Sequence, residues 1–221
     1  MPPRAGAEAL RRVPAPQEPA HDSPAARRRA RRALAGDEVP RERILNAAAL
    51  LFRERGYRRT TVRDIAERAG ILSGSLFHHF RSKEEMLHEI MRDAALSVCV
   101  RAEQLVAALP TPGERLRGLI GLELECVVGE IRRDYHAVLF LEWREVPEPA
   151  RPDYTALHRR YVRIWSAVLD DCRDAGLLRC EPAAALHVLH GAMLGTMTWF
   201  KPSGRYSLES FGDVLFELVS R

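Results

Sequence analysis

Beyond residue 95 no segment of this 221-residue chain alternates apolar with polar at a period of two, and from Pro40 onward the large apolar residues fall at three- and four-residue steps instead. A strand face needs the first pattern and a helix face the second, so the chain is predicted to be all-α. Ile44, Ala47, Ala48, Leu51 and Phe52 line one face of a first helix, which Gly56 stops. A second begins where the Thr60 and Thr61 hydroxyls can cap free backbone amides, with Asp64 as the capping-box acid, and runs through Ile65, Ala66 and Ala69 to Gly70. A third spans 73–80 with Leu76 and Phe80 turned inward, and Ser82 with Glu85 caps a long fourth. Prolines and glycines divide the remainder into helices of roughly 113–133, 134–145, 154–175, 182–200 and 207–219, lengths ordinary for a helical bundle.

Residues 183–200 contain no Asp, Glu, Lys or Arg and invite comparison with a membrane span. His187, His190, Gly191, Gly195, Thr196 and Thr198 interrupt the stretch and no basic anchor precedes it, so burial in a bundle or a dimer interface is the expectation, with no membrane partner. Residues 1–39 are rich in Pro, Ala and Arg and show neither period, which marks a disordered basic arm. Its cluster Arg27, Arg28, Arg29, Arg31 and Arg32 reads either as a contact to a polyanion or as a solvated tail. The net charge of +4 divides into +3 for residues 1–39, +3 for 40–94 and −2 for 95–221, so all the positive excess lies toward one end. Nucleic acid is the first partner that asymmetry implies.

Of the 34 basic residues 32 are Arg, a bias toward planar, bidentate contacts with phosphates and carboxylates. Cys99, Cys126, Cys172 and Cys180 form no Cys-x-x-Cys pair and the chain opens without the apolar run of a signal peptide. A reducing cytoplasm is expected, with neither a disulfide framework nor a zinc site. There is no Gly-x-Ser-x-Gly, no phosphate-binding glycine loop and no His-Glu-x-x-His, so neither catalysis nor a cofactor is expected.

Two short helices joined through a glycine, with small polar and aromatic residues outside the second, make a helix-turn-helix. The ungapped run 43–87 carries Arg43-Ile44-Leu45-Asn46-Ala47-Ala48, Leu51-Phe52, Arg55-Gly56-Tyr57, Thr60-Thr61-Val62-Arg63-Asp64-Ile65-Ala66, Ala69-Gly70, Gly74-Ser75-Leu76-Phe77-His78-His79-Phe80 and Ser82-Lys83-Glu84-Glu85-Met86-Leu87. In these residues the chain resembles the TetR family of transcriptional regulators. Ser75 and Phe77 stand where that family usually has Thr and Tyr, and Leu72 where it usually has Ser, which leaves Ser73 to take over the helix cap.

The resemblance implies a three-helix DNA-binding domain over residues 40–94, followed by a helical ligand-binding and dimerisation domain over 95–221. It further implies a homodimer on palindromic double-stranded DNA, with half-sites one helical turn apart, roughly 34–36 Å. Ser73, Gly74, Ser75 and His78 then face base edges. Thr60, Thr61, Arg63, Phe77, His79 and Lys83 contact or pack against the phosphate backbone, Lys83 and the Thr60–Thr61 amides fixing register. For His78 and His79 a second reading, half-buried rings supporting the helix, stays open.

Beyond residue 95 the match is one of architecture. The segment Thr198-Trp199-Phe200-Lys201-Pro202-Ser203-Gly204 looks like the branch containing repressors of steroid-ring and fatty-acid breakdown, which respond to acyl-CoA thioesters. A small hydrophobic effector of that kind is therefore the expected ligand, and a regulator without any effector, constitutive or activating, is the alternative. An effector cavity in a bundle is lined by apolar and aromatic groups with a few polar ones. Trp143, Trp165, His190 and Met193 are its candidates here, and Arg144, Arg159, Arg160 and Arg163 are candidates for the phosphates of coenzyme A or for a solvated face. His187 and His190, three apart, read as a metal pair or as buried, hydrogen-bonded histidines, and the lack of a carboxylate or thiolate beside them in sequence favours the second. Dimer contacts are expected from Leu186, Leu189, Phe211 and Leu215 on the last two helices.

Overall fold

The computed structural model describes residues 41–129, 133–146 and 148–221, so the arm at 1–39 lies outside it. Nine α-helices are present among these: α1 (Arg41–Arg55), α2 (Val62–Ala69), α3 (Ser73–Leu76), α4 (Lys83–Ala108), α5 (Pro112–Val128), α6 (Arg133–Leu141), α7 (Arg151–Asp174), α8 (Pro182–Trp199) and α9 (Leu208–Val219). Two short 3₁₀ turns, Trp143–Glu145 and Glu148–Ala150, lie between α6 and α7. The chain separates into two compact units, one ending at Leu87 and one beginning at His88, where composition drew the line between 94 and 95.

In the first unit Ile44, Ala48 and Phe52 of α1 meet Ile65 and Ala66 of α2, with Leu76 and Phe80, all essentially without solvent exposure. Gly56 takes φ 83°, a left-handed conformation that ends α1. At the start of α2 the Thr61 hydroxyl accepts from the Asp64 amide at 3.1 Å while the Asp64 carboxylate accepts from the Thr61 amide at 2.8 Å. The Thr61 hydroxyl bond, then its backbone amide, hold the Asp64 carboxyl below the usual carboxylate range. Gly70 closes α2 with φ 68°, its amide reaching the carbonyls of Ala66 and Glu67.

Helix α3 is shorter than the expected 73–80: only Ser73–Leu76 is helical and turns follow to residue 79. Leu72 occupies the cap position without a side-chain hydrogen bond. Ser73 does not take over that cap, because it is already the first residue inside the helix, one position too late for the job.

In the second unit α5 packs against α6, α7, α8 and α9. Leu116, Leu119, Ile120, Leu122, Leu124 and Cys126 of α5 are buried on several sides among Trp165, Val168 and Leu169 of α7, Ala185, Leu189 and Met193 of α8, and Leu215 and Val219 of α9. Thr111 and Glu114 cap α5 reciprocally, and Pro112 occupies its first turn. Pro152 was expected to sit in a break before 154, yet α7 already begins at Arg151. A first-turn proline lacks only an N–H that the helix leaves unpaired anyway. The helix expected over 134–145 stops at Leu141 and gives way to the Trp143–Glu145 turn. An isolated bridge between Leu178 and Ser220 ties the end of α9 back, with the Arg179 amide on the Val219 carbonyl at 2.9 Å.

Helix α8 carries the charge-free stretch. Its Ala185, Leu186, Leu189, Met193 and Thr196 face the core, while His187, Val188, Gly191 and Leu194 are exposed. No helix among the described residues is long and apolar enough to cross a membrane.

Replacing either cap hydroxyl, Thr61→Ala or Thr111→Ala, is expected to lower unfolding free energy by about 1 kcal/mol in urea titrations followed by circular dichroism, since each change frees a first-turn amide in a different unit.

Candidate functional site

Over the buried Leu76 and Phe80 the outer side of α3 and the turn behind it are open: Phe77 is 55% exposed, Gly74 and His78 are exposed, and Ser73, Ser75 and His79 are partly so. Arg63 and Thr61 are exposed at the start of α2. Thr60 is different. It is 1% exposed, and its hydroxyl lies against the carbonyls of Gly56 at 2.9 Å and Leu51 at 3.3 Å, so its side chain belongs to the interior. The Lys83 ammonium donates to the carbonyls of Tyr57 and Thr60, both at 2.8 Å, and lies 4.1 Å from the Tyr57 ring centroid. Two of its three N–H groups are thereby engaged, clamping the Tyr57–Thr60 turn to the start of α4.

A second constellation lies inside the second unit. Trp165 is fully buried, and the His190 ring stands edge-on to it at 4.9 Å and stacks on Tyr161 at 6.1 Å. The Glu123 carboxyl of α5, 4% exposed, accepts from the Tyr161 hydroxyl at 2.9 Å and comes within 3.3 Å of His190 Nε2. Burial pushes the Glu123 carboxyl up to about 8, against the smaller opposing effect of the Tyr161 bond. Burial, aided by the more distant His158 and His187, pulls His190 down to about 4. Both are therefore neutral near pH 7, and the nearest strong hydrogen-bond partner of the acid is a phenol.

Of the four expected effector contacts, Trp165 and His190 meet in this cluster and Met193 is buried in the same core. Trp143 is on its 3₁₀ turn, 59% exposed. Glu123 was not singled out beforehand, although a carboxylate between Ile120 and Val127 on an inner helical face was the signal for it. Arg160 is committed to Glu103 through a bidentate pair, Nε at 2.7 Å and Nη2 at 2.6 Å, whereas Arg144, Arg159 and Arg163 are exposed. No three His, Cys, Asp or Glu groups among the described residues could hold a metal ion.

The expected dimer contacts need correction. Leu186, Leu189 and Leu215 are buried inside the protomer itself and Phe211 packs on the same core, so these four cannot supply the greater part of an interface. Helical phase explains the error: the residues most apolar in sequence on α8 and α9 face α5. The apolar residues those helices leave exposed are Val188, Leu194, Trp199, Val214 and Leu218, and an added Cβ at Gly191 or Gly195 would meet nothing within 4 Å.

Residues 44–90 match the family described as bacterial regulatory proteins, tetR family, and residues 109–221 match the Tetracyclin repressor-like C-terminal domain. The HTH-type transcriptional repressor KstR2 of Mycolicibacterium smegmatis is 32% identical over 182 residues, covering 81% of this chain and 88% of that one. Among solved structures, AibR in complex with isovaleryl coenzyme A and operator DNA superposes with a TM-score of 0.74 at 25% identity, over 80% of this chain and 96% of the other. The superantigen PfiT does so with a TM-score of 0.70 at 35% identity, over 82% and 96%.

The Glu123 and His190 shifts act on stability in opposite directions. Between 4.5 and about 8 the folded chain keeps the Glu123 proton that the unfolded chain has lost, so stability falls as pH rises. Between about 4 and 6.5 the unfolded chain holds a His190 proton that the folded one lacks, so stability rises with pH. Above 6.5 the Glu123 slope outweighs the fading His190 one: urea midpoints are expected to decline from pH 6.5 to 8 by the equivalent of about 1 kcal/mol, and the decline should vanish in Glu123→Gln.

Proposed function

Since the chain belongs to the tetR family of bacterial regulatory proteins, we propose that it is a transcriptional repressor that grips a palindromic operator as a homodimer and is released by a small hydrophobic effector. The observation that carries the reading is the open face of α3 over the Leu76 and Phe80 anchors, which leaves Ser73, Gly74, Ser75 and His78 free to meet base edges. Around it Thr61, Arg63, Phe77 and His79 serve the phosphate backbone, while Thr60, its amide on the Tyr57 carbonyl and its hydroxyl turned inward, and Lys83 support the surface from behind. The reading head is residues 40–94 and the effector and dimerisation body is residues 95–221.

The relative solved with isovaleryl coenzyme A and operator DNA supports an acyl-CoA thioester as effector. The apolar portion then lies against Trp165, His190 and Met193, and exposed Arg144, Arg159 and Arg163 are the guanidinium groups available to its phosphates. Effector binding favours a conformation in which the two heads no longer match the operator spacing, and the coupling is reciprocal. Protomers pair through the outward sides of α8 and α9, with Gly191 and Gly195 allowing close helix approach. Such a regulator works in the cytoplasm and turns over no substrate. A constitutive regulator is the second reading, and the superantigen on the same scaffold shows that the fold does not by itself dictate the role.

The deciding experiment recovers genomic fragments on the purified protein, then measures affinity for the recovered site at fixed salt with and without acyl-CoA thioesters; release is expected, and unchanged affinity for every thioester tried favours the constitutive reading. Exchanging Ser75 should alter preference among operator variants. Lys83→Met should weaken all sites alike and lower stability by about 1–2 kcal/mol, yet leave the salt dependence of binding unchanged, whereas a lost phosphate contact would reduce its slope by about 1. Val214→Arg combined with Leu218→Arg is expected to sediment as a monomer and to lose operator affinity.

A further inference from the structure

Among the large apolar residues described, Leu72 is the most exposed, at 80%, and it stands between α2 and α3, one residue before Ser73. A lone surface leucine is ordinary, but this one occupies a helix-cap position, where a small polar side chain would bond a free amide and an apolar one cannot. The local rule is broken with no gain in packing, which is the mark of a position kept for contact with something else. Its backbone, by contrast, is pinned. The Leu72 carbonyl accepts from the amides of Ser75 at 3.0 Å and Leu76 at 3.4 Å, and the preceding Ile71 amide donates to the Ala66 carbonyl at 2.9 Å. A free aliphatic side chain is thus held out from a fixed point at the entry to the reading face. We infer that Leu72 is a specificity-determining residue of the reading head, making apolar contact in the major groove with the 5-methyl group of a thymine in each operator half-site.

The chemistry follows from what the groove offers an aliphatic group. Guanine, adenine and cytosine present hydrogen-bond donors and acceptors along their major-groove edges, and a leucine laid against these desolvates them without pairing. Thymine alone adds a methyl group, whose contact with leucine removes apolar surface from water on both sides. Ser73, Ser75 and His78 of the same head carry polar groups, so Leu72 supplies what they lack. The surroundings admit a duplex. A Cβ added at Gly74 would meet nothing within 4 Å, so bare backbone and open space lie two residues beyond Leu72. Two residues before it, a Cβ at Gly70 would fall 2.7 Å from Arg43 Nη2, so the exposed Arg43 guanidinium lies directly over that turn. A cation beside an apolar side chain suits a groove whose phosphates border its base edges, and it counts against an apolar protein surface as the partner.

The inference rests on the operator reading, and its test separates the two. The site recovered from genomic fragments is synthesised with deoxyuridine, which lacks only the methyl group, in place of one symmetric pair of thymines at a time, and each duplex is titrated with the full chain by fluorescence anisotropy at fixed salt. At one pair the change is expected to weaken binding about fourfold for each half-site, about fifteenfold for the two together. Leu72→Ala should bind the unmodified duplex more weakly by a similar factor and bind the deoxyuridine form of that pair equally well, while deoxyuridine elsewhere acts on both proteins alike. Leu72→Ser, which returns a capping hydroxyl to α3, should show the same indifference while its circular dichroism stays that of the parent. A half-site without thymine, deoxyuridine tolerated at every pair, or a loss that persists in Leu72→Ala, which would assign the methyl to Phe77 or another side chain, overturns the inference and leaves the operator reading standing. Recovery of no fragment removes both. Because the deoxyuridine series on the parent chain needs no substitution, a Leu72 variant that fails to fold is replaced by the other in the comparison.

Discussion

Everything in the second unit depends on the near-complete burial of α5. Helices α6, α7, α8 and α9 each bring an apolar face that is stable only when covered, and α5 is the shared cover. The buried positions of such a helix tolerate almost nothing polar, because no water reaches them. Glu123 therefore has to be answered by the neighbouring helices, and Tyr161 and His190 are the answer from α7 and α8. The same enclosure that makes the bundle stable keeps the carboxyl protonated near neutral pH.

The first unit faces the opposite problem. A single turn of helix such as α3 has no stability of its own, and Leu72 gives it no side-chain cap. Its orientation is fixed from below by Leu76 and Phe80, and the adjoining Tyr57–Thr60 turn is fixed by the Lys83 clamp and the inward Thr60 hydroxyl. A reading surface of small residues is thus carried by large ones that never touch what is read.

Much of this was legible in the chain. Period 3.6 separated the helices, and the Thr61–Asp64 capping box and the Gly56 and Gly70 stops were visible as residue types at fixed spacing. What sequence did not show was phase and partner. Thr60 and Thr61 are adjacent and chemically alike, yet one caps a helix outward and the other binds carbonyls inward, a choice made by tertiary packing. Lys83 reads as a cation for phosphate, and nothing in the sequence announces its bonds to the carbonyls of residues 57 and 60, far away along the chain. Leu186, Leu189 and Leu215 were assigned to an interface for their apolarity, and that same apolarity buries them at home. Pro152 read as a boundary because a proline just inside a helix and one just outside it look identical without coordinates.

The outward side of α8, with its exposed Val188 and Leu194 and its bare glycines, carries a further consequence. In the proposed dimer a protomer released from its twin would present that strip to solvent, so pairing through one side of α8 adds to the folding carried by the other and the apparent melting point should climb with protein concentration. Copy number would then govern how much competent regulator exists as well as how often it finds its site, making scarcity self-reinforcing.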